Sequence, residues 1–217
     1  MSRADLSSVP SVQVAQPDEA EALGTLIGLA FRELAPSRWL IPDSVQRVVT
    51  LPGYFTMFVE HAFTVRGRVL TTPDRRAVAV WIDAGLVPPQ DQIPRSYHAR
   101  LIDLVGGAYQ RFETFDQLLT AAHPNAPHWY LQFLAVHPDD QGHGIGSALL
   151  THMHHQLDDS YHTAYLEAVD ESTVDFYTRH GYHHLGDPIT LPGGPRMWPM
   201  LRRPRPDAPP AWAAPHR

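Results

Sequence analysis

The chain has 217 residues, 43% of them hydrophobic and 10% aromatic, enough to enclose one sizeable core with a small helical layer beside it. It contains no cysteine, which excludes disulfides, thiol nucleophiles and cysteine-ligated metals. A formal net charge of -6, from 17 basic residues that are all arginine against 23 acidic ones, argues against a nucleic-acid partner and suits a cationic substrate.

No run of about 18 apolar residues exists, and Met1 to Pro10 lacks the basic and apolar blocks of a secretory signal, so a cytoplasmic protein without a membrane partner is expected. The spacing of Ala22, Leu26, Leu29, Ala30 and Leu34 predicts an amphipathic helix over Asp18 to Leu34, with acidic residues in its first turn. Pro36 and Pro42 then break the chain. Asp43 is placed to cap a second helix towards Glu60, which Pro52-Gly53 divides or interrupts. Arg68 to Thr71 and Ala77 to Ile82 read as a hairpin around the turn Thr72 to Arg76, with Val78, Val80 and Ile82 on one face.

The proline-rich stretch Pro88 to Pro94 opens a helical insertion spanning about 88–127, with helical spacing from Tyr97 to Leu119 broken at Gly106-Gly107. His128 to His137 reads as a strand and Gly144 to Leu157 as a helix, joined by a glycine loop. Ala164 to Val169 follows as a strand, Glu171 to His180 as a short helix, and Tyr182 to Leu185 and Arg196 to Leu201 as closing strands. A single domain over 1–204 is expected, with residues 205–217 a disordered proline- and alanine-rich tail. The 14 histidines raise the question of a metal, but His152, His154 and His155 lack a carboxylate at ligand spacing and read as solvated helix-surface residues, so no metal is expected.

The chemistry is carried by Gln141-Gly142-His143-Gly144-Ile145-Gly146, where three glycines alternate between a strand and a helix. Their backbone N-H groups, free of neighbouring side-chain bulk and backed by the positive end of the helix dipole, suit a pyrophosphate. The G-x-G-x-G spacing, set back from the strand by His137 to Asp140, disfavours a Rossmann dinucleotide loop.

Leu134-Ala135-Val136-His137-Pro138 followed by Gln141 to Gly146 resembles the signature of the GNAT superfamily of N-acetyltransferases, and Phe176-Tyr177 with Gly181-Tyr182 resembles its second block. Ala77 to Trp81, Ala35 to Arg38 and Gly194 to Met200 with Arg202 extend the resemblance to puromycin-type acetyltransferases. The resemblance implies an α/β (α+β) fold, with a mixed, mostly antiparallel sheet flanked by helices and a cofactor strand splayed from its neighbour. It implies direct transfer from acetyl-CoA to a primary amine of a small molecule such as an antibiotic or related metabolite. Leu134, Ala135 and Val136, the loop through Ser147, and Asp170, Ser172 and Phe176 are the implied cofactor contacts, although Asp170 is equally placed to cap the helix that follows, with Ser172 or Thr173 as the alternative cap.

Tyr177 occupies the implied acid position, where a phenol stays protonated at neutral pH yet can donate to a thiolate. Glu167 shares a strand face with Tyr165 and Val169 and is the candidate base, with substrate orientation or a structural role as its rivals. Tyr130 and Gln132 stand where some relatives carry proton-path histidines. With Trp39, Trp81 and Trp198 they offer aromatic and polar surface to an acceptor, the tryptophans being as readily core residues, and Glu33 could attract its ammonium group. The alternatives are a protein or peptide N-acetyltransferase and a non-catalytic acetyl-CoA-binding regulatory module. A monomer or homodimer suits either reading.

Overall fold

The computed structural model describes residues 10–86, 93–94 and 96–205. Residues 88–92 and 95 of the expected insertion, and the tail from 206 onward, lie outside them.

A short turn of 3-10 helix over Pro17–Glu19 leads into α1 (Ala20–Phe31), which buries Leu23, Leu26 and Ile27. The helix stops before Leu34 because a brief separate helix, α2 (Ala35–Leu40), begins there with Pro36 in its first turn, where a missing N-H costs nothing. From the sequence alone Pro36 reads as a breaker. Asp43 caps α3 (Ser44–Thr64), its carboxylate accepting from the Gln46 N-H at 2.7 Å.

Contrary to the expected break, α3 runs straight through Pro52-Gly53. Pro52 offers no N-H to the Val48 carbonyl, yet the helix continues past it. At this point α1 packs closely: a Cβ on Gly28 would stand 2.8 Å from the Pro52 nitrogen, and one on Gly24 2.2 Å from Thr56 Oγ1. The two glycines therefore set the distance between α1 and α3.

The hairpin forms from β2 (Gly67–Thr71) and β3 (Ala77–Asp83), with β1 (Gln13–Val14) added at the edge. Val78, Val80 and Ile82 join the core beneath α1 and α3, while Ala77, Ala79 and Trp81 face a second core on the other side of the sheet. The insertion folds as α4 (Tyr97–Val105) and α5 (Tyr109–Ala122), hinged at Gly106, whose φ of +48° suits glycine.

Then come β4 (Trp129–Val136), α6 (Ile145–Asp159), β5 (Ala164–Ala168), α7 (Glu171–Arg179) and the strands β6 (His183–His184), β7 (Ile189–Thr190) and β8 (Arg196–Arg202). The sheet order is β1-β2-β3-β4-β5-β8-β6, with β7 also on β8, and every pairing is antiparallel except β4 with β5.

Two polar contacts tie the second layer together. Arg202 on β8 makes a bidentate pair with Asp158 at the end of α6, at 2.8 and 2.6 Å, with both side chains buried. His154 is not a surface residue as expected: it packs under the sheet, shares a 3.1 Å hydrogen bond with the Tyr182 hydroxyl, and burial pushes its pKa down to about 3. The helical pattern placed it next to Met153, which belongs to the same buried face. Among the described residues no group of three or more histidine or acidic side chains converges as a metal site, and no helix is long and apolar enough to cross a membrane.

Candidate active site

The site is made by a disagreement between two strands. β4 and β5 pair only at Trp129 with Ala164 and Tyr130 with Tyr165, after which they part. β4 also carries a bulge: Trp81 on β3 faces Leu131 and Val80 faces Phe133, leaving Gln132 as the extra residue. The bulge exchanges the faces of the strand. Trp129 and Leu131 join one core before it, whereas Leu134 and Val136 join that core after it. The bulged Gln132 still lines the cavity with Tyr130, and its Oε1 is buried with no hydrogen-bond partner among the described residues.

The gap between the strands is a cavity of about 690 Å³. At one end lies the glycine loop. Arg76, in the β2–β3 turn, pairs with the Asp140 carboxylate and places an NH2 2.9 Å from His137 Nδ1, anchoring the approach to the loop. Gln141 donates to the Val136 carbonyl at 3.1 Å. Gly142 and Gly144 both have φ of +80°, with no atom within 4 Å of where a Cβ would stand. Gly144 is the residue from which α6 springs, so the first N-H groups of that helix face the cavity without intrahelical partners. Such a cradle fits a pyrophosphate, and Arg179 of α7 adds a cation to the cavity wall.

Leu134, Ala135, Val136, Gln141, Gly142, Gly144, Ile145, Gly146 and Ser147 all line the cavity, as do Asp170, Ser172, Phe176 and Tyr177. His143 is exposed and is not among them. Asp170 resolves its two readings by doing both: it caps α7, accepting from the Thr173 N-H at 2.8 Å and the Ser172 hydroxyl at 2.8 Å, while facing the cavity. Burial and the Asp170 charge hold the Tyr177 hydroxyl above the ordinary phenol range, so it stays protonated at neutral pH.

Deeper in, Glu167 is 4% exposed at its side chain and accepts a 2.9 Å hydrogen bond from the Tyr130 hydroxyl on Oε2. Burial pushes its pKa up to about 7, against the opposing effect of the Tyr130 hydrogen bond and the nearby Tyr165 hydroxyl.

The expected acceptor residues divide. Tyr130 and Gln132 line the cavity. Trp81 is fully buried in the core beside His154, and Trp39 spends its indole N-H on the Pro192 carbonyl at 3.0 Å. Trp198 is half-buried against the second core, and exposed Glu33 pairs with Arg47 at 3.4 Å; neither lines the cavity. The aromatic walls come instead from Phe31 of α1, Tyr54 and Phe55 of α3, Phe115 of α5 and Phe133 of the bulged strand. Their spacing in the sequence, helical on α1, α3 and α5 and strand-like at Phe133, is that of core residues, and only the opening of the sheet distinguishes them.

The comparisons with known proteins agree with this architecture. Residues 103–184 match the family model described as an acetyltransferase (GNAT) domain. A Corynebacterium glutamicum structure described as histone acetyltransferase HPA2 and related acetyltransferase is similar at 26% identity, over 91% of this chain and 98% of that one, with a TM-score of 0.66. An N-acetyltransferase from Staphylococcus aureus Mu50 shares the fold at 14% identity, over 88% of this chain and 99% of that one, with a TM-score of 0.54. A GCN5-related N-acetyltransferase from Rhodopseudomonas palustris does so at 11% identity, over 92% and 99%, also at 0.54. Residues 103–184 thus carry an acetyltransferase (GNAT) domain, and the chain is an N-acetyltransferase.

Proposed function

We propose that the protein transfers the acetyl group of acetyl-CoA to a primary amine of a small molecule by direct attack within a ternary complex. The observation that carries this reading is that one cavity, opened by the parting of β4 and β5, is lined by the glycine loop, Tyr177 and Glu167 together. In this reading the Gly142 to Ser147 backbone holds the pyrophosphate, and the unpaired edge of Leu134 to Val136 pairs with the pantetheine and polarises the acetyl carbonyl. Glu167 takes a proton from the ammonium form of the acceptor, directly or through water, because a carboxylate with a pKa near 7 is both available and basic enough at neutral pH. Tyr177 gives its proton to the departing thiolate and is reprotonated by the second proton that the acceptor nitrogen sheds as the tetrahedral adduct collapses.

The enclosing rings of Phe31, Tyr54, Phe55 and Phe133 favour an acceptor with an aromatic or nucleoside-like body, an antibiotic among them, over an extended peptide. The rival is protein acetylation, which the description of the Corynebacterium glutamicum relative suggests. Thiol trapping of released CoA, with acetyl-CoA and a panel of aminoacyl nucleosides, aromatic amines, amino acids and lysine peptides, separates them. Turnover confined to peptides would reject the small-molecule assignment.

A further inference from the structure

Acetylation of an ammonium group sheds two protons. One ends on the CoA thiol, and the other must reach solvent. A buried Glu167 acting as the base would be left holding it. We propose that His123 and His128 form a one-way relay that carries this proton from Glu167 to a surface depression on the far side of the β4–β5 junction. The proposal rests on the reading of Glu167 as the base.

The hydrogen bonds fix the direction. Nδ1 of His128 lies 2.7 Å from the Ala126 carbonyl, which can only accept, so that nitrogen carries the proton of the neutral ring. Its Nε2 is then an acceptor, and the His123 Nε2 that stands 2.9 Å away must donate to it. His123 is thereby left with an unprotonated Nδ1, which faces Oε1 of Glu167 at 4.0 Å. That oxygen is buried and has no hydrogen-bond partner among the described residues. The spacing is what two acceptors adopt. Once Oε1 is protonated it becomes a donor, and the gap can close to a hydrogen bond.

The steps balance. The acceptor N-H bond breaks as the Glu167 O-H forms; this proton passes to His123 Nδ1 while the Nε2 proton of His123 passes to His128 Nε2. The Nδ1 proton of His128 leaves for water beside the exposed Ala126, and Glu167 returns to carboxylate. This leaves His123 protonated on Nδ1 and His128 on Nε2; once products depart, water reprotonates His128 Nδ1, the shared proton returns to His123 Nε2 and the His123 Nδ1 proton leaves to water in the open cavity, so both rings regain their resting tautomers. His123 is held for this role edge-on to the rings of Tyr130 and Tyr165, each 4.8 Å away. His128 lines a depression with Pro124, Tyr161, Thr163 and Arg203, none of which lines the larger cavity, so the exit stays open when substrates fill the site. Burial keeps both rings neutral near pH 7, with His123 pushed down to about 4, while Asp83 opposes the effect at His128. Neutral rings can pass a proton on without retaining it.

The test compares folded His123→Phe and His128→Ala with the unaltered protein, using acetyl-CoA and 2-phenylethylamine. The relay predicts that kcat falls about tenfold in each, below the roughly 10²-fold effect of a base itself, with KM for acetyl-CoA unchanged. Imidazole, entering the space left in the depression, restores much of the His128→Ala loss. A kcat equal to that of the unaltered protein in both variants, or a His128→Ala loss that imidazole does not relieve, overturns the relay. Long-range nitrogen–proton NMR of the protein alone needs no acceptor. It should place the protons on Nε2 of His123 and Nδ1 of His128, and a proton on Nδ1 of His123 would reverse the direction and reject the proposal. Glu167→Gln separates the layers: an unchanged pH profile there removes the base and the relay together, whereas a loss there with full activity in both histidine variants removes the relay alone.

Discussion

The Tyr130 hydroxyl donates to Oε2 of Glu167 across the last paired residues of β4 and β5, at 2.9 Å. The bond spans the point where the strands part, so it fixes a carboxylate at the head of the cavity and stabilises its charged form against burial. Removing the donor in Tyr130→Phe should therefore raise the Glu167 pKa further above 7. In a pH profile of kcat/KM the acidic limb should move to higher pH, and in Glu167→Gln it should vanish. An orienting role predicts instead a raised KM with the limb in place.

The same carboxylate should cost the fold stability at alkaline pH. Its folded pKa of about 7 lies above the ordinary 4.5, so the neutral form is favoured on folding; that stabilisation is complete below pH 4.5 and is lost as pH rises through 7. Glu167→Gln, which cannot ionise, should gain about 3 kcal/mol on the unaltered protein between pH 4.5 and pH 8. Denaturant melts at the two pH values read this directly, and a difference independent of pH would show that the carboxyl is not titrating as described.

Tyr177 makes ring contacts with Phe176 and Tyr182 at 5.1 and 5.6 Å that do not involve its hydroxyl. Tyr177→Phe keeps that packing and removes only the proton donor. Turnover should fall by roughly 10² with acetyl-CoA affinity nearly intact, the scale of a positioned acid. Undiminished turnover would make Tyr177 a packing residue.

Gly144 tests the cradle. At φ of +80° with open space around its missing Cβ, an aspartate fits sterically at a modest backbone cost, yet sets a carboxylate against the phosphates. Calorimetry should show acetyl-CoA binding abolished in a folded Gly144→Asp protein. Unchanged affinity would remove the loop from the binding site.

Much of this architecture is legible in the sequence because it is local. The Asp43 cap, the alternation of Val78, Val80 and Ile82, and the glycine loop each depend on neighbours within a few positions. What escapes is set by distant partners. Pro52 sits inside an unbroken helix, packed against Gly28 of another helix with Gly24 one turn along against Thr56. Gln132 is a bulge only because β3 pairs on either side of it. Trp81 and Phe133 look alike in a strand pattern, and only the parting of β4 from β5 makes one a core residue and the other a cavity wall. His123 sits at the end of a helix with no motif around it, and its place beside Glu167 follows from α5 folding back over β5.

The claim that this cavity acetylates small aromatic amines is tested most directly by steady-state kinetics with acetyl-CoA and two acceptors, an aminoacyl nucleoside and a lysine-containing peptide. The aromatic chamber predicts kcat/KM at least about tenfold higher for the nucleoside, equivalent to about 1.4 kcal/mol of transition-state preference. Equal or reversed values would contradict it.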